Sequence, residues 1–564
     1  LLAFNEKKLK QGGIFFEKEA PELFRLQMVQ GSASLEAPAS VLLSSSAVKA
    51  IFGDEDPLNK LIKIDNYPPV KVTGVYKDFP HNSSFADFNF IGTWEFFYNN
   101  ENIKSMTDPW RPNFTSIFVE LNDHSDFANA SIRIKDAKLK KVNSQLVKKK
   151  PELFLFPMSK WHLYSEFKDG VNIGGAIQYV WMFGIIGIFV LLLACINFMN
   201  LSTARSEKRA KEVGIRKTVG SLRKQLIAQF FSESLLTVAF ALVLSLVLVI
   251  LLLPFFNAVS GKQMSVAWDS PLFWSLTIAF TLFTALIAGS YPAFYLSSFQ
   301  PVKVLKGTFK AGRFAAIPRK ILVVLQFTVS VALIIGTIIV YRQIQFAKNR
   351  PVGYSREGLV TVPITDSTVH SHFLSLRNEL MQTGLISSIA EAGNSTTGVG
   401  GSTSGISWKG KDPNLSVDFG MVEASYDYGK TIGWHIADGR DFSKDFGTDT
   451  SALILNEAAV HFMGLQKPVG ETLMWFDKPY TVIGVIDDMV MQSPFDALKP
   501  VIYFADNQPG SVAIIKINPS ASSKNALSKI ESTFKKFQPD QPFEYQFVDD
   551  DYAKKFTSEE RIGK

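Results

Sequence analysis

The chain is 564 residues long, 46% of them hydrophobic and 20% charged, and it carries a formal net charge of +7. The length is too great for one compact core, and the mean hydropathy of +0.10 is high for a soluble globular protein, so the apolar residues must be concentrated in particular segments. The single cysteine, Cys195, excludes an intrachain disulfide and a cysteine-based metal site, and the seven histidines have no metal-like spacing. We therefore predict no metal and no cofactor.

Residues 1–177 contain a strand, a short helix and a second strand in succession. The segment VLLSSSAVKAIFGDEDPL (41–58) begins with an apolar run, and its helical part ends at Gly53, a residue type that commonly ends helices. Alternating apolar residues in VTGVYKD (72–78) then indicate a strand. This pattern predicts an α+β domain.

Four windows contain no Asp, Glu, Lys, Arg or His, namely 178–199, 235–256, 271–296 and 321–341. Each window is at least 21 residues long, and about 20 helical residues cross the ~30 Å hydrocarbon core of a bilayer. Aromatic residues, which prefer the membrane interface, lie near their ends, for example Tyr179, Trp181 and Tyr341. Residues 178–341 are therefore predicted to form a membrane α-helical bundle with four spans.

Two of the loops between these spans are strongly basic. Residues 201–232 carry eight Lys or Arg and two Glu, and residues 297–320 carry six Lys or Arg and no acidic residue. Because positively charged loops remain in the cytoplasm, both outer domains are predicted to lie on the other side of the membrane. Membrane topology thus accounts for the excess positive charge, and no nucleic-acid partner is predicted.

The first basic loop also carries an apolar pattern. Five apolar residues recur there at helical spacing: Ile215, Val219, Leu222, Leu226 and Phe230. Such spacing predicts one continuous apolar helix face. Gly214 and Gly220 weaken the helix, so a short transverse element over residues 211–220, between two helical arms, is also compatible with the sequence.

Residues 342–564 repeat the pattern of the first domain. The segment ALILNEAAVHFMGLQKPV (452–469) matches residues 41–58 at a constant offset of 411, and VIGVIDD (482–488) matches residues 72–78. The aligned pairs include Leu42 with Leu453, Ala47 with Ala458, and Gly53 with Gly464. Such a repeat predicts a second α+β domain with the same fold. Since the chain begins without Met or an apolar leader, and since the repeat would place further spans after residue 564, we expect an internal part of a longer protein.

Three stretches resemble the MacB/FtsX-type family of ABC transporter permeases. They are ACINFMNLSTARSEKRAKEVGIRKTVGSLRKQLIAQFFSESLL (194–236), AGSYPAFYLSSFQPVKVLKG (288–307) and the repeated outer domain, which is similar to the MacB-like periplasmic core domain. The resemblance implies a non-catalytic subunit of the bacterial inner membrane, with two periplasmic domains (1–177 and 342–564) around an FtsX-like membrane segment (178–341). It is greatest to members with two ectodomains and eight spans, of which this chain would hold spans two to five.

The resemblance also implies a helix that couples the permease to its ATPase. The family motif often reads E-I-G-I-R followed by Lys or Arg, and the matching residues are Glu212, Val213, Gly214, Ile215, Arg216 and Lys217. The alternative is a basic helix that only anchors the topology. In the third span, Gly289 and Pro292 predict a bend, which is either a fixed kink or a hinge that moves during transport.

The function implied by the resemblance is efflux or extraction of large amphiphilic substrates, such as antimicrobial peptides, macrolides or lipoproteins. The implied partners are a separate cytoplasmic ABC ATPase that hydrolyses ATP, a second subunit in a homodimer or pseudo-dimer, a periplasmic adaptor, an outer-membrane channel and membrane lipid. Two alternatives are an FtsX-like scaffold that regulates cell-wall hydrolases and a membrane sensor. The string YGKT (428–431) does not complete a phosphate-binding loop, because Ala424 occupies the first glycine position.

Overall fold

The structure, a computed structural model, describes residues 1–65, 67–99, 101–104, 108, 110, 113–168, 170–204, 206–298, 316–364, 367–505, 510–539, 541–557 and 559–560. It divides into two compact units, Leu1–Gly187 and Ile188–Lys564. The basic residues Lys303, Lys306, Lys310 and Arg313 of the second predicted cytoplasmic loop lie outside the described residues.

Among the described residues, four helices are long and apolar enough to cross a membrane: Ile177–Ala204, Arg223–Ser260, Pro271–Ser297 and Ala316–Asn349. We number them first to fourth membrane helix. They contain all four predicted charge-free windows, so the predicted number of membrane helices is confirmed. At 1.5 Å per residue the second helix is about 57 Å long, much longer than the hydrocarbon core. Its polar first turns, residues 223–234, therefore extend beyond the membrane.

The first unit contains a mixed β-sheet. Its strands are β1 (Leu2–Phe4), β2 (Lys7–Leu9), β3 (Gly13–Phe16), β4 (Met28–Gly31), β5 (Ser40–Ser44), β6 (Leu61–Ile64), β7 (Val70–Tyr76) and β8 (Phe90–Thr93). They pair in the order β2-β1-β6-β7-β5-β8-β3, and β4 pairs with β7. Short helices connect them or follow them: Ala20–Leu23, Ser45–Phe52, Trp94–Tyr98, Glu101–Lys104, Phe127–Ile134, Ser144–Val147 and the 3-10 turn Met158–Lys160. A hairpin of β9 (Glu166–Lys168) and β10 (Val171–Gly174) precedes the first membrane helix.

The second unit contains a larger mixed sheet. Its strands are β11 (Leu359–Pro363), β12 (Ile386–Ala392), β13 (Gly401–Thr403), β14 (Ile406–Ser407), β15 (Phe419–Ala424), β16 (Ile436–Gly439), β17 (Ala452–Asn456), β18 (Thr472–Trp475), β19 (Lys478–Ile486), β20 (Val501–Ala505), β21 (Val512–Ile517) and β22 (Gln546–Phe547). They pair in the order β14-β18-β19-β17-β20-β15-β12-β21-β11-β22, with β13 on β15 and β16 on β19. The helices of this ectodomain are Ser367–Ser371, Phe373–Gln382, Tyr428–Ile432, Gly447–Ser451 (3-10), Glu457–Met463, Ser523–Phe537 and Val548–Lys554.

The two sheets share one topology over six strands. In the first sheet β6-β7-β5-β8-β3 run side by side with β4 on β7, and in the second sheet β18-β19-β17-β20-β15 do so with β16 on β19. The strand directions also agree, because β5 with β7 and β17 with β19 are parallel, whereas β5 with β8 and β17 with β20 are antiparallel. The repeat predicted from the sequence is therefore present, and each copy is α+β.

The register corrects the predicted alignment by one residue at the strand. Leu42 lies opposite Gly74, and Ile454, not Leu453, lies opposite Gly484. The two strands are therefore offset by one residue more than predicted. The same is true of Ser44 and Asn456, which cap the following helices. The first helix has eight residues and the second has seven, so the offset returns to 411 at the two terminal glycines.

The second ectodomain carries an additional layer that extends its sheet. Strands β12, β21 and β11 continue beyond β15, and the helices Phe373–Gln382 and Ser523–Phe537 cover them. Leu376 and Leu380 from one helix and Ile530 and Phe534 from the other are buried against Ile515 and other strand residues in a separate core. Residues 452–486, which repeat the first domain, belong to other clusters.

Candidate functional site

The predicted coupling motif lies on a short helix, Ser206–Thr218, between the first and second membrane helices, which we call the basic helix. The chain turns after it at Gly220, whose φ of +106° falls in the region that favours glycine. The second membrane helix begins at Arg223. Leu222, which precedes it, has no polar side chain for capping, and instead its backbone N–H donates to Oε1 of Gln225 at 2.9 Å.

The continuous apolar face predicted across this loop is wrong. The turn at Gly220 separates its residues, so that Ile215, Val219 and Leu222 are 53%, 83% and 65% exposed. Only Leu226 and Phe230, on the second membrane helix, are buried. The alternative of a short element between two helical arms describes the structure better, except that Gly214 lies within the helix and only Gly220 forms a turn.

The inner face of the basic helix packs on the second and third membrane helices. Val213 and Gly214 are buried. A small apolar core joins the three helices and consists of Val213, Leu226, Phe230, Ala293 and Leu296. The basic helix is therefore held by contacts within the chain, and movement of this helix would be transmitted to both membrane helices.

Arg216 and Lys217 strengthen this packing with polar contacts. Arg216 donates to Oε1 of Gln229 at 2.5 Å and to Oε1 of Glu212 at 2.7 Å. Lys217 Nζ donates to the carbonyl oxygen of Ser297 at 2.6 Å, at the last residue of the third membrane helix. This end of a helix has unpaired carbonyls and a partial negative charge, so an ammonium group is stabilised there.

The Lys217 ammonium is partly withdrawn from solvent. Its burial, with a smaller contribution from the nearby Arg223 cation, lowers its pKa below the usual value for lysine. Gln229 and Ser297 are hydrogen-bond partners of the predicted motif that sequence reasoning missed, because neither belongs to a motif. A polar residue on an otherwise apolar helix and a serine at a helix end are too common to have singled them out.

The outer surface of the basic helix and the turn that follows it expose apolar side chains. Ile215, Val219 and Leu222 leave three apolar side chains exposed within eight residues, all outside the membrane-spanning windows predicted from the sequence. We call these three residues the apolar tip. Glu212 and Thr218 are exposed beside it. An apolar patch with a polar edge is typical of a protein interface.

Gly289 lies where the second and third membrane helices approach each other. A Cβ atom on Gly289 would come within 2.8 Å of Ser234 Oγ and 3.1 Å of Phe231 Cδ1. The helix continues through Pro292, which is buried. Gly289 thus permits close packing, whereas the hinge predicted for Gly289 and Pro292 remains a prediction.

We expect Gly289→Leu to weaken the packing of these two helices by about 1–3 kcal/mol, because the added side chain has no room. Thermal unfolding of the purified protein in detergent should show a lower midpoint. Gly336→Leu on the fourth membrane helix is the matched control, since no atom of the described residues lies within 4 Å of its Cβ position. Equal loss of stability in both variants would contradict this role of Gly289.

Two family descriptions match the chain. The FtsX-like permease C-terminal domain matches residues 184–301, and the MacB-like periplasmic core domain matches residues 4–137 and again 321–533. The second description alone covers more than half of the chain. The chain belongs to the MacB-like/FtsX-like family of ABC transporter permeases. It is thus a multi-pass transmembrane subunit with two MacB-like core domains.

Individual relatives are distant. The ABC transporter permease YknZ of Bacillus subtilis is 25% identical over 274 residues, which cover 47% of this chain and 61% of that protein. The macrolide export ATP-binding/permease protein MacB of Bdellovibrio bacteriovorus is 28% identical over 116 residues, which cover 21% of this chain and 17% of that protein. The matches therefore span less than two thirds of these relatives.

Among solved structures, the periplasmic region of MacB from Actinobacillus actinomycetemcomitans covers 35% of this chain and 92% of its own length, at 16% identity and a TM-score of 0.27. The extracellular domain of YknZ from Gram-positive bacteria covers 33% of this chain and 97% of its own length, at 15% identity and a TM-score of 0.25.

Proposed function

We propose that this permease converts ATP hydrolysis by a separate cytoplasmic ATPase into movement of its two periplasmic domains, for efflux or extraction of large amphiphilic substrates. The observation that supports this most directly is the two-sided basic helix. Its inner face is fixed to two membrane helices, and its apolar tip is left exposed. A helix that only anchored topology would need the positive charges but not this arrangement.

The basic helix is the point at which the ATPase acts. When the ATPase moves the apolar tip, the displacement reaches the second and third membrane helices by two routes. These are the small apolar core that contains Val213 and the hydrogen bond from Lys217 to the carbonyl oxygen of Ser297. Rigid secondary structure elements transmit such displacements because packed interfaces do not deform continuously. Val213, Gly214, Arg216 and Lys217 then act from within, Glu212 holds Arg216 from the exposed edge, and Ile215 makes the external contact.

The membrane helices of this chain do not form the route for cargo. The four spans contain no charged residue or histidine in the windows predicted from the sequence. A path for polar cargo generally places charged groups inside the membrane. We therefore propose that cargo such as an antimicrobial peptide, a macrolide or a lipoprotein is handled by the periplasmic domains, with an adaptor, an outer-membrane channel and a second subunit completing the assembly in the inner membrane.

The test is to reconstitute the full-length protein in liposomes with a candidate cytoplasmic ABC ATPase from the same organism. We expect the two to copurify and the permease to change the rate of ATP hydrolysis, whereas the permease alone should not hydrolyse ATP. If the ATPase neither binds nor responds to the permease, the proposed coupling is wrong. Coupling without transport or extraction of any amphiphile would favour the FtsX-like scaffold.

Topology gives a second test. In a Cys195→Ala background, Glu55→Cys and Gln466→Cys place thiols at corresponding exposed positions of the two repeats, after Gly53 and Gly464. We expect both thiols to react with an impermeant maleimide in intact cells, and Thr218→Cys on the basic helix to react only after permeabilisation. Reaction of only one ectodomain thiol would contradict the arrangement of spans.

A further inference from the structure

The hairpin β9–β10 presents apolar side chains directly before the first membrane helix. Val171 and Ile173, on one face of β10, are 65% and 49% exposed. The other face carries Phe167, whose ring packs against Phe154 and Phe156 at centroid distances of 5.4 and 5.2 Å. The hairpin is thus fixed to its own domain by one face, and Val171 and Ile173 point away from it.

Hydrogen bonds fix the hairpin at the beginning of the membrane helix. Gln178 Nε2 donates to the carbonyl oxygen of Ile173 at 3.3 Å, and the backbone N–H of Ile177 donates to the carbonyl oxygen of Leu163 at 3.0 Å. The chain reverses direction between Ile173 and Ile177, at Gly174 and Gly175, whose φ values are +108° and +129°. Ile173 therefore lies at the level of the first helical turn.

That level is the membrane interface. The membrane helix begins at Ile177, and Tyr179 and Trp181, which are 43% and 67% exposed, occupy its first turns. Tyrosine and tryptophan are enriched where the headgroups meet the hydrocarbon. The headgroup region is roughly 5–8 Å thick on each side, so side chains attached at this level contact lipid.

We propose that Val171 and Ile173 insert into the lipid interface, so that the hairpin β9–β10 supports the first ectodomain on the outer surface of the bilayer. Continuity with the lipid-facing surface of the first membrane helix identifies lipid as the occupant. Insertion is apolar and not electrostatic, because residues 151–176 carry only Lys160 and Lys168 as basic residues, against Glu152, Glu166 and Asp169. Zwitterionic lipid is therefore sufficient.

The experiment uses single cysteines in the full-length protein with Cys195→Ala. Val171→Cys and Ile173→Cys are labelled with the fluorophore NBD and reconstituted in phosphatidylcholine liposomes. Ile117→Cys is the matched control, because Ile117 is an apolar residue of the same unit that is 86% exposed. Quenching is measured with aqueous iodide and with lipids that carry a nitroxide near the headgroup.

We expect quenching by the nitroxide lipids and loss of quenching by iodide at positions 171 and 173, and the reverse at position 117. Iodide quenching at 171 and 173 equal to that at 117 would overturn the proposal. Protection of these labels from both quenchers would show that a protein covers the hairpin and would also overturn it. A requirement for anionic lipid would contradict apolar insertion.

Discussion

We expect the double variant Val219→Glu with Leu222→Glu to bind the partner ATPase much more weakly, while the permease itself stays folded. Both side chains are largely exposed, so the substitutions remove little packing within the chain. At an interface with the ATPase they would place two carboxylates against an apolar surface, and burial of an unpaired charge is strongly unfavourable. We expect the free energy of binding to the ATPase to weaken by at least about 3 kcal/mol, which is roughly a hundredfold in affinity. Residues that anchor an interface usually contribute this much.

Copurification of the ATPase and the rate of ATP hydrolysis measure this loss, and thermal unfolding of the permease measures its integrity. Val213→Glu is the contrasting variant, because Val213 is buried in the core shared with the membrane helices. It should lower the stability of the permease itself. If the ATPase binds the Val219→Glu and Leu222→Glu variant as well as the parent, the apolar tip contacts lipid and the basic helix is an anchor.

The charged residues of the motif are poorer probes of docking. Reversal of Arg216 would break its bonds to Gln229 and Glu212, and reversal of Lys217 would place a carboxylate beside the carbonyl of Ser297. Loss of coupling in such variants would follow from damaged packing whether or not the ATPase contacts these side chains. Only the exposed residues distinguish docking from internal support.

The sequence predicts the membrane helices well because the bilayer imposes a strong condition. A spanning helix must bury about 20 apolar residues without a charge, and such windows are unmistakable in a chain with 20% charged residues. The apolar spacing from Ile215 to Phe230 was a weaker signal. Helical periodicity can continue by chance across a turn, and the turn at Gly220 depends on backbone geometry that spacing does not reveal.

The proposed coupling site illustrates the same limit. Family resemblance indicates the motif from Glu212 to Lys217, but it does not say which side chains face the partner. Orientation is set by tertiary contacts with Gln229 and Ser297, which lie 13 and 80 residues away from their partners in sequence. Helix packing of this kind is decided by the complementary surfaces, which no local pattern records.

The repeat shows how equivalent positions can use different chemistry. In the first domain a carboxylate oxygen of Asp78 accepts from the backbone N–H of Ser46, and in the second domain Asp488 accepts from Ala458 in the same way. The helix caps differ, with Ser44 in one copy and Asn456 in the other. The sequence alignment at a constant offset did not pair Ser44 with Asn456, since it placed Asn456 opposite Ser45.

We expect Asn456→Ala to destabilise the second ectodomain by about 3 kcal/mol or more. Asn456 is 2% exposed and makes four hydrogen bonds. Its oxygen accepts from the backbone N–H groups of Ala459 and Val501 at 3.1 and 2.8 Å, and its amide donates to Asp488 and to the carbonyl of Lys499 at 2.7 and 2.9 Å. Each buried group left unsatisfied costs about 1–3 kcal/mol.

Ser44→Ala is the matched variant in the first repeat, and there we expect a loss of only about 1 kcal/mol, the usual contribution of a helix cap. Ser44 accepts from Ala47 at 3.2 Å and contacts the side chains of Ser46 and Asn89, which retain other partners. Hydrogen exchange on the full-length protein separates the two effects. Hydrogen exchange should become faster across residues 452–486 in Asn456→Ala. The acceleration across residues 40–76 in Ser44→Ala should be much smaller, because Asn456 also joins its helix cap to strand β20. Equal acceleration in the two repeats would mean that both caps contribute alike and that the bond to Val501 adds nothing.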